Sequence, residues 1–201
     1  MILRTMIAVS GLLVASAFAE GAKLPPLVER LGFPAGTRVL ILNADDFGMN
    51  HSTDEGTFKA LQTGGLSSAT IMVPCPWFLE AAKFAKEHPQ GNFGCHLTLT
   101  SEWKNYKWGP VVGWQGAPSL CDDLGYMFDD VPVVYLNAKM DDVEKEVRAQ
   151  IDRALKAGID VTHVDSHMGT LQYAKGYHEL YLKIAKSYNL PCRVAGRELM
   201  K

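Results

Sequence analysis

Three short apolar runs, far apart in this chain, each end in ionisable side chains. Residues 39–42 lead into Asn43-Ala44-Asp45-Asp46-Phe47-Gly48, residues 92–100 carry His96, and residues 161–165 lead into Asp165-Ser166-His167. Adjacent carboxylates at the end of a hydrophobic strand resist joint ionisation unless a cation or a shared proton compensates them. Three strands that delivered one carboxylate and two imidazoles to a common rim would meet that need. An acid with two histidines is a metal-site composition.

The segments between these runs fix the fold class. Residues 38–44 read as a strand, and Asn50 or Ser52 caps a helix running to Gln62, which Gly64-Gly65 ends. A second strand over residues 67–73 stops at Pro74, and helical spacing follows over residues 77–87 through Phe78, Ala81, Ala82 and Ala85. Residues 92–100 form a third strand. Residues 102–140 break the rhythm with a long aromatic-rich connection, which is functional or hides short elements. A helical stripe of Val143, Val147, Ile151, Ala154 and Leu155 restores it, with Glu144/Arg148 and Asp152/Lys156 pairs outside. A strand over residues 161–165, a helix over 173–188 and a last strand over 192–195 complete the chain. The alternation predicts an α/β fold, a parallel sheet with outer helices. About five strands fall short of the eight of a closed barrel, so either the sheet is open or the chain is a relative of a larger barrel that is incomplete at its C-terminal end.

Composition narrows the function. Formal net charge is -2 and the basic residues are scattered, so nucleic-acid binding is not expected. Arg4, an apolar stretch over residues 6–14 and Ala17-Phe18-Ala19 have the order of a signal peptide. The expected organisation is a signal peptide over residues 1–19, a lead-in over 20–37 and one domain over 38–201. Cleavage leaves no stable membrane span and places the domain outside the cytoplasm, with a bacterial periplasm as its natural setting. Cys75, Cys95, Cys121 and Cys192 lack metal-ribbon spacing, and an oxidising compartment permits one or two disulfides that sequence does not assign. Cys95 should point to the opposite face from His96 and be buried.

In alternating α/β folds the C-terminal ends of the strands carry the chemistry. Asp45/Asp46, His96 and His167 all fall there. With a period of two, His163, Asp165 and His167 face one side, which makes His167 the ligand and Asp165 or His163 its buttress. Two neighbouring strand carboxylates reach one site only where the strand has begun to turn.

These segments, with Glu55-Gly56, Ser67-Ser68-Ala69-Thr70, Gly94-Cys95-His96-Leu97-Thr98-Leu99-Thr100 and Thr162-His163-Val164-Asp165-Ser166-His167, resemble the YdjC-like carbohydrate deacetylases, a family with chitooligosaccharide and hopanoid-biosynthesis branches. The likeness runs in order from about Arg38 to Val194. It implies a (β/α)-barrel-like fold, a divalent metal (Mg2+ or Zn2+) held by Asp46, His96 and His167, and Asp45 as catalytic base. The implied reaction removes acetyl groups from an N-acetylated oligosaccharide or glycolipid. Met168-Gly169-Thr170 stands where many members carry further histidines, and the family's C-terminal third is missing, which leaves the general acid unassigned; His163 is the local candidate.

Trp103 and Trp108 in the long connection are candidate sugar platforms, because a pyranose face packs well on an indole. A homodimer is an allowed assembly. Competing readings are a metal-dependent glycosidase or phosphoesterase at the same rim, and a non-catalytic sugar-binding relative. Amino-terminal sequencing of the exported protein is expected to return a chain beginning at Glu20; recovery of Met1 would refute cleavage.

Overall fold

The structure, a computed structural model, describes residues 25–194. The signal-like segment over residues 1–19 and the end of the expected last strand at Ala195 lie outside the described residues. The chain divides after Leu40 into two units. In the first, Pro25-Pro26 lead into α1 (Leu27–Arg30), a single helical turn closed by Gly32.

The second unit runs β1 (Asn43–Phe47), α2 (His51–Gln62), β2 (Ser68–Ile71), α3 (Phe78–Glu87), β3 (Phe93–Leu97), α4 (Val131–Asn137), α5 (Met140–Lys156), β4 (Val161–Ser166) and α6 (Lys175–Ser187). The four strands form one sheet in the order β1-β2-β3-β4, and every pairing is parallel. Parallel neighbours require a crossover between them, and helices supply it. One sheet face carries Phe47, Ala69, Ile71, Phe93, Cys95, Leu97 and Val164, which are buried in a continuous apolar core with residues of α3, α5 and α6. Polar side chains of the strands, Asn43, Asp45, Thr70, His96 and Asp165, are linked to one another by hydrogen bonds and ion pairs. The arrangement is an α/β fold, a four-stranded parallel sheet with helices.

The helices follow the sequence pattern closely. Asn50 caps α2 by accepting from the Thr53 N–H at 3.0 Å. Tyr177, Leu180, Tyr181, Ile184 and Ala185 form the buried stripe of α6. On α5, however, Leu155 is exposed, and the buried stripe passes instead through Glu146 and Gln150. Both polar side chains are fully used. Gln150 accepts from the Thr98 N–H at 2.9 Å and donates to the Thr98 carbonyl at 2.7 Å, satisfying backbone just past β3. Glu146 accepts from the N–H groups of Val111 and Val112 and so ties down the long connection, while burial pushes its carboxyl up to about 7. Glu144 pairs with Arg148 at 2.8 Å as expected, whereas Asp152 accepts from the Tyr188 hydroxyl at 2.7 Å.

Several boundaries differ from the sequence expectation. The first strand begins at Asn43, because the Leu42 carbonyl accepts from both Ser67 and Ser68 N–H groups and the ladder starts only at the Asn43/Ser68 pair. Ile41 and Leu42 are therefore exposed. The connection over residues 102–140 contains a 3-10 turn at Pro118–Leu120 and α4. The expected last strand is reduced to a parallel bridge between Val164 and Cys192. All four cysteines are free thiols, and Cys95 is buried. No helix among the described residues is long and apolar enough to cross a membrane.

Phe47 is completely buried where β1 meets the helices, with the rings of Phe58, Phe84 and Phe93 at centroid distances of 5.5, 6.0 and 6.3 Å. Phe47→Ala is expected to cost about 3–5 kcal/mol in denaturant unfolding, the range for losing a buried aromatic and leaving a cavity. A loss below 1 kcal/mol would show that this cluster is not an anchor of the sheet.

Candidate metal centre

Backbone geometry at the end of β1 aims the first donor. Asp46 has φ +61°, in the left-handed region that few non-glycine residues adopt, and the register between β1 and β2 slips between Ala44 and Phe47. The slip breaks the strict alternation of the strand, so Asp45 and Asp46 both approach His96. Gly48 follows at φ +89°, and a Cβ there would lie 3.3 Å from the Phe78 Cα. His96 stands on β3. His167 lies just beyond β4 in a 3-10 turn that continues through Met168 at φ +50° and Gly169 at φ +68°.

Three donor atoms converge. Asp46 Oδ1 lies 3.2 Å from His96 Nε2 and 3.2 Å from His167 Nδ1, and the two nitrogens are 3.3 Å apart. Both histidines are buried, and Asp46 Oδ1 is buried with no hydrogen-bond partner. A divalent ion bound at about 2.0–2.2 Å needs donors spaced about 3 Å apart, and an otherwise orphaned carboxylate oxygen facing two imidazole nitrogens fits it. These three residues can hold a metal ion.

Each imidazole is fixed from behind by a carboxylate. His96 Nδ1 lies 2.5 Å from Asp165 Oδ1, and His167 Nε2 lies 3.1 Å from Glu102 Oε2. Such partners set the tautomer and aim the free nitrogen at the ion. Asp165 therefore buttresses His96, not His167 as its sequence neighbourhood suggested, and Glu102 takes the second role. Burial opposes charge on His96, yet Asp165 and Asp46 push its pKa up to about 9. Burial likewise opposes charge on His167, and Asp46 with Glu102 raises it. Against a burial penalty, His167 and His96 hold the Asp46 carboxyl well below the usual range, and His167 lowers Glu102.

Asp45 faces a different partner. Arg193 grips it through two bonds, Nη1 to Oδ1 at 2.9 Å and Nη2 to Oδ2 at 2.7 Å, and Asn43 Nδ2 adds a third at 2.7 Å. Burial raises the carboxyl's pKa but these partners outweigh it, so Asp45 stays ionised. His163 is not among the donors that converge with Asp46, but it lines one cavity with Asp45 and Asp165. Its Nδ1 pairs with Thr162 Oγ1 at 2.9 Å, Gly94 leaves room for its ring, and burial lowers its pKa. The two tryptophans also separate. Trp108 is buried against Met49, Met72, Cys75 and Met127 and offers no free ring face, whereas Trp103 is half exposed and donates to Glu102 Oε1 at 3.1 Å.

Arg193 and Glu102 escaped the sequence reading. A lone cation inside the expected last strand was the only signal for Arg193, and nothing distinguished Glu102 within the long connection.

The same residues can now be compared with known proteins. A family model described as YdjC-like protein matches residues 39–201. The chain belongs to this family. Among YdjC-like relatives, the carbohydrate deacetylase of Thermus thermophilus is 36% identical over 82% of this chain and 56% of its own length. That of Brevibacillus brevis is 37% identical over 77% of this chain and 58% of its own. A solved structure from Enterococcus faecalis, of a proposed cellobiose-phosphate cleavage protein, superposes with a TM-score of 0.71 at 33% identity, covering 78% of this chain and 59% of that one. The chain thus spans somewhat over half the length of these relatives.

Asp46→Ala, His96→Ala and His167→Ala are each expected to abolish metal retention at this centre, measured by metal analysis after dialysis. Asp165→Asn should weaken it about 10–100-fold, as loss of an orienting carboxylate does. Because the ion must displace a proton from His96 below about pH 9, affinity should rise with pH up to about 9 and fall on acidification. A pH-independent affinity between pH 6 and 8 would contradict this assignment.

Proposed function

We propose that the protein is a metal-dependent carbohydrate deacetylase that hydrolyses the acetamide of N-acetylated sugars. The observation that carries this reading is the triangle of Asp46, His96 and His167 in a chain whose similar relatives are named carbohydrate deacetylases. The two nitrogen donors favour Zn2+ over Mg2+. When bound, the ion supplies Lewis-acid polarisation of the acetamide carbonyl and a more acidic water.

The chain's own residues divide the remaining work. Asp46, His96 and His167 bind, and Asp165 and Glu102 hold the imidazoles in the ligating orientation. Asp45 serves as proton acceptor for the attacking water, kept ionised and oriented by Arg193. Its lowered pKa makes it a weak base, which suits it only to an acidified water. His163 lines the same cavity as Asp45 and Arg193 and is the local candidate to protonate the leaving amine, although burial lowers its pKa. Trp103, whose exposed ring is linked through Glu102 to His167, is the better placed of the two tryptophans to carry a sugar ring. The signal-like order of Arg4, residues 6–14 and Ala17-Phe18-Ala19 supports export to a periplasm, where oligosaccharides and glycolipids are both accessible.

The likeness to a proposed cellobiose-phosphate cleavage protein motivates a second reading, cleavage of a phosphorylated disaccharide at the same centre. One assay separates the two. Incubation with N-acetylated chitooligosaccharides is expected to release acetate, to stop with chelator and to resume on adding Zn2+. With a phosphorylated disaccharide in parallel, its cleavage to phosphate or new reducing ends, and no acetate from the chitooligosaccharides, would favour the second reading. Trp103→Ala should raise KM at least threefold with kcat little changed; an unaltered KM would remove the ring from the sugar site.

A further inference from the structure

A second group of ionisable side chains lies where α2 and α3 begin. His51, Asp54 and Glu55 occupy positions i, i+3 and i+4 of α2 and so share one helix face. Glu80, in the first turn of α3, approaches that face, with its carboxylate oxygens 3.0 and 3.1 Å from His51 Nδ1. One donor atom from each of His51, Glu55 and Glu80 lies within 4.8 Å of the other two.

What distinguishes this group from an ordinary acidic surface is Asp54. The residue has no exposed surface, and only one of its oxygens is engaged: Oδ1 accepts from the Gly48 N–H at 2.6 Å, while the buried Oδ2 has no partner. Burial and the adjacent Glu80 carboxyl together push Asp54 up to about 7, against the opposing Gly48 bond. Among the described residues no lysine or arginine pairs with Asp54, Glu55 or Glu80, so His51 is the only counter-charge for three acids. A buried, unsatisfied carboxylate oxygen beside a second carboxylate is costly unless a proton or a cation lies between them.

We propose that His51, Glu55 and Glu80 form a second divalent-cation site distinct from the Asp46/His96/His167 centre, with the buried Asp54 carboxyl beside Glu80. One imidazole with carboxylate oxygens suits Zn2+ or Mn2+. The ion takes the place of the His51 proton, offsets the crowded charge of Glu80 and Asp54 and joins the first turns of the two helices. Asp54 also holds Gly48, two residues beyond Asp46, so the ion stiffens the turn that aims the first ligand of the other centre. The site's role is to position that turn, and it makes no contact with the triangle itself.

The test uses the full chain carrying His96→Ala and His167→Ala, which silences the first centre, dialysed against Zn2+ and against Mn2+. One equivalent of Zn2+ is expected to remain, and adding Glu55→Gln with Glu80→Gln should weaken its binding at least tenfold. Trp77 gives an independent readout, since its ring lies 4.9 Å from that of His51. Co2+ should quench its emission in the silenced chain, and His51→Ala or Trp77→Phe should remove that quenching. If the silenced chain does not fold, the otherwise unmodified chain serves: its stoichiometry should fall from two ions to one with His51→Ala. A folded silenced chain that retains no Zn2+, or binding and quenching indifferent to His51, Glu55 and Glu80, overturns the proposal and leaves a shared proton between Asp54 and Glu80. Neither outcome decides whether the chain deacetylates sugars, which is assayed separately.

Discussion

Asp165 has no exposed surface, yet it is a carboxylate on a strand of a largely apolar sheet. A charge so placed is tolerated only when its lone pairs are met, and three donors meet them: His96 Nδ1 at 2.5 Å, Thr70 Oγ1 at 3.0 Å and Arg193 Nη2 at 3.2 Å. Thr70 stands on β2, His96 on β3 and Arg193 beyond the bridge at Cys192, so one buried acid gathers three parts of the chain. The same contacts orient the site. The bond that satisfies Asp165 turns His96 Nε2 toward Asp46, and the guanidinium that reaches Asp165 also clamps Asp45. Stability and chemistry are coupled here, since loss of any one partner leaves the others with unmet charge.

The fold was legible where periodicity was strong. α3, α5 and α6 follow from their apolar spacing, and α2 from the capping chemistry of Asn50 and the closing Gly64-Gly65. The strand boundaries were less legible, because an apolar run marks what is buried only if a neighbouring strand is present to pair with it. At residues 39–42 the apolar pattern continues but the hydrogen-bond ladder does not. Leu155 illustrates the same limit on α5: a helical pattern gives two adjacent candidate stripes, and the requirements of the Thr98 and Val111 backbone chose the one containing Gln150 and Glu146.

At the site, residue type and strand-end position were sufficient to single out His96, His167 and the Asp45/Asp46 pair, and the family resemblance chose Asp46 from that pair; the structure brings Asp46, His96 and His167 together. The pairing of buttress with histidine was not readable, since Asp165 is two residues from His167 yet meets His96 across the sheet. Only the parallel register, which sets His96 beside Asp165, reveals it. Trp108 was misjudged for a related reason: an aromatic in a long connection looks accessible until its Nε1 is seen donating to the Thr100 carbonyl.

The left-handed backbone at Asp46 narrows what evolution can do at that position. The residue must be acidic to match the two imidazoles, and it must also be short enough to tolerate a conformation that few side chains accept. Glycine and asparagine suit the backbone but carry no charge, while glutamate carries the charge on a longer arm. Position 46 is thus a dead end for stepwise drift: each available replacement sacrifices either the bend or the anion, and a lineage abandoning metal would find the exit most easily through asparagine.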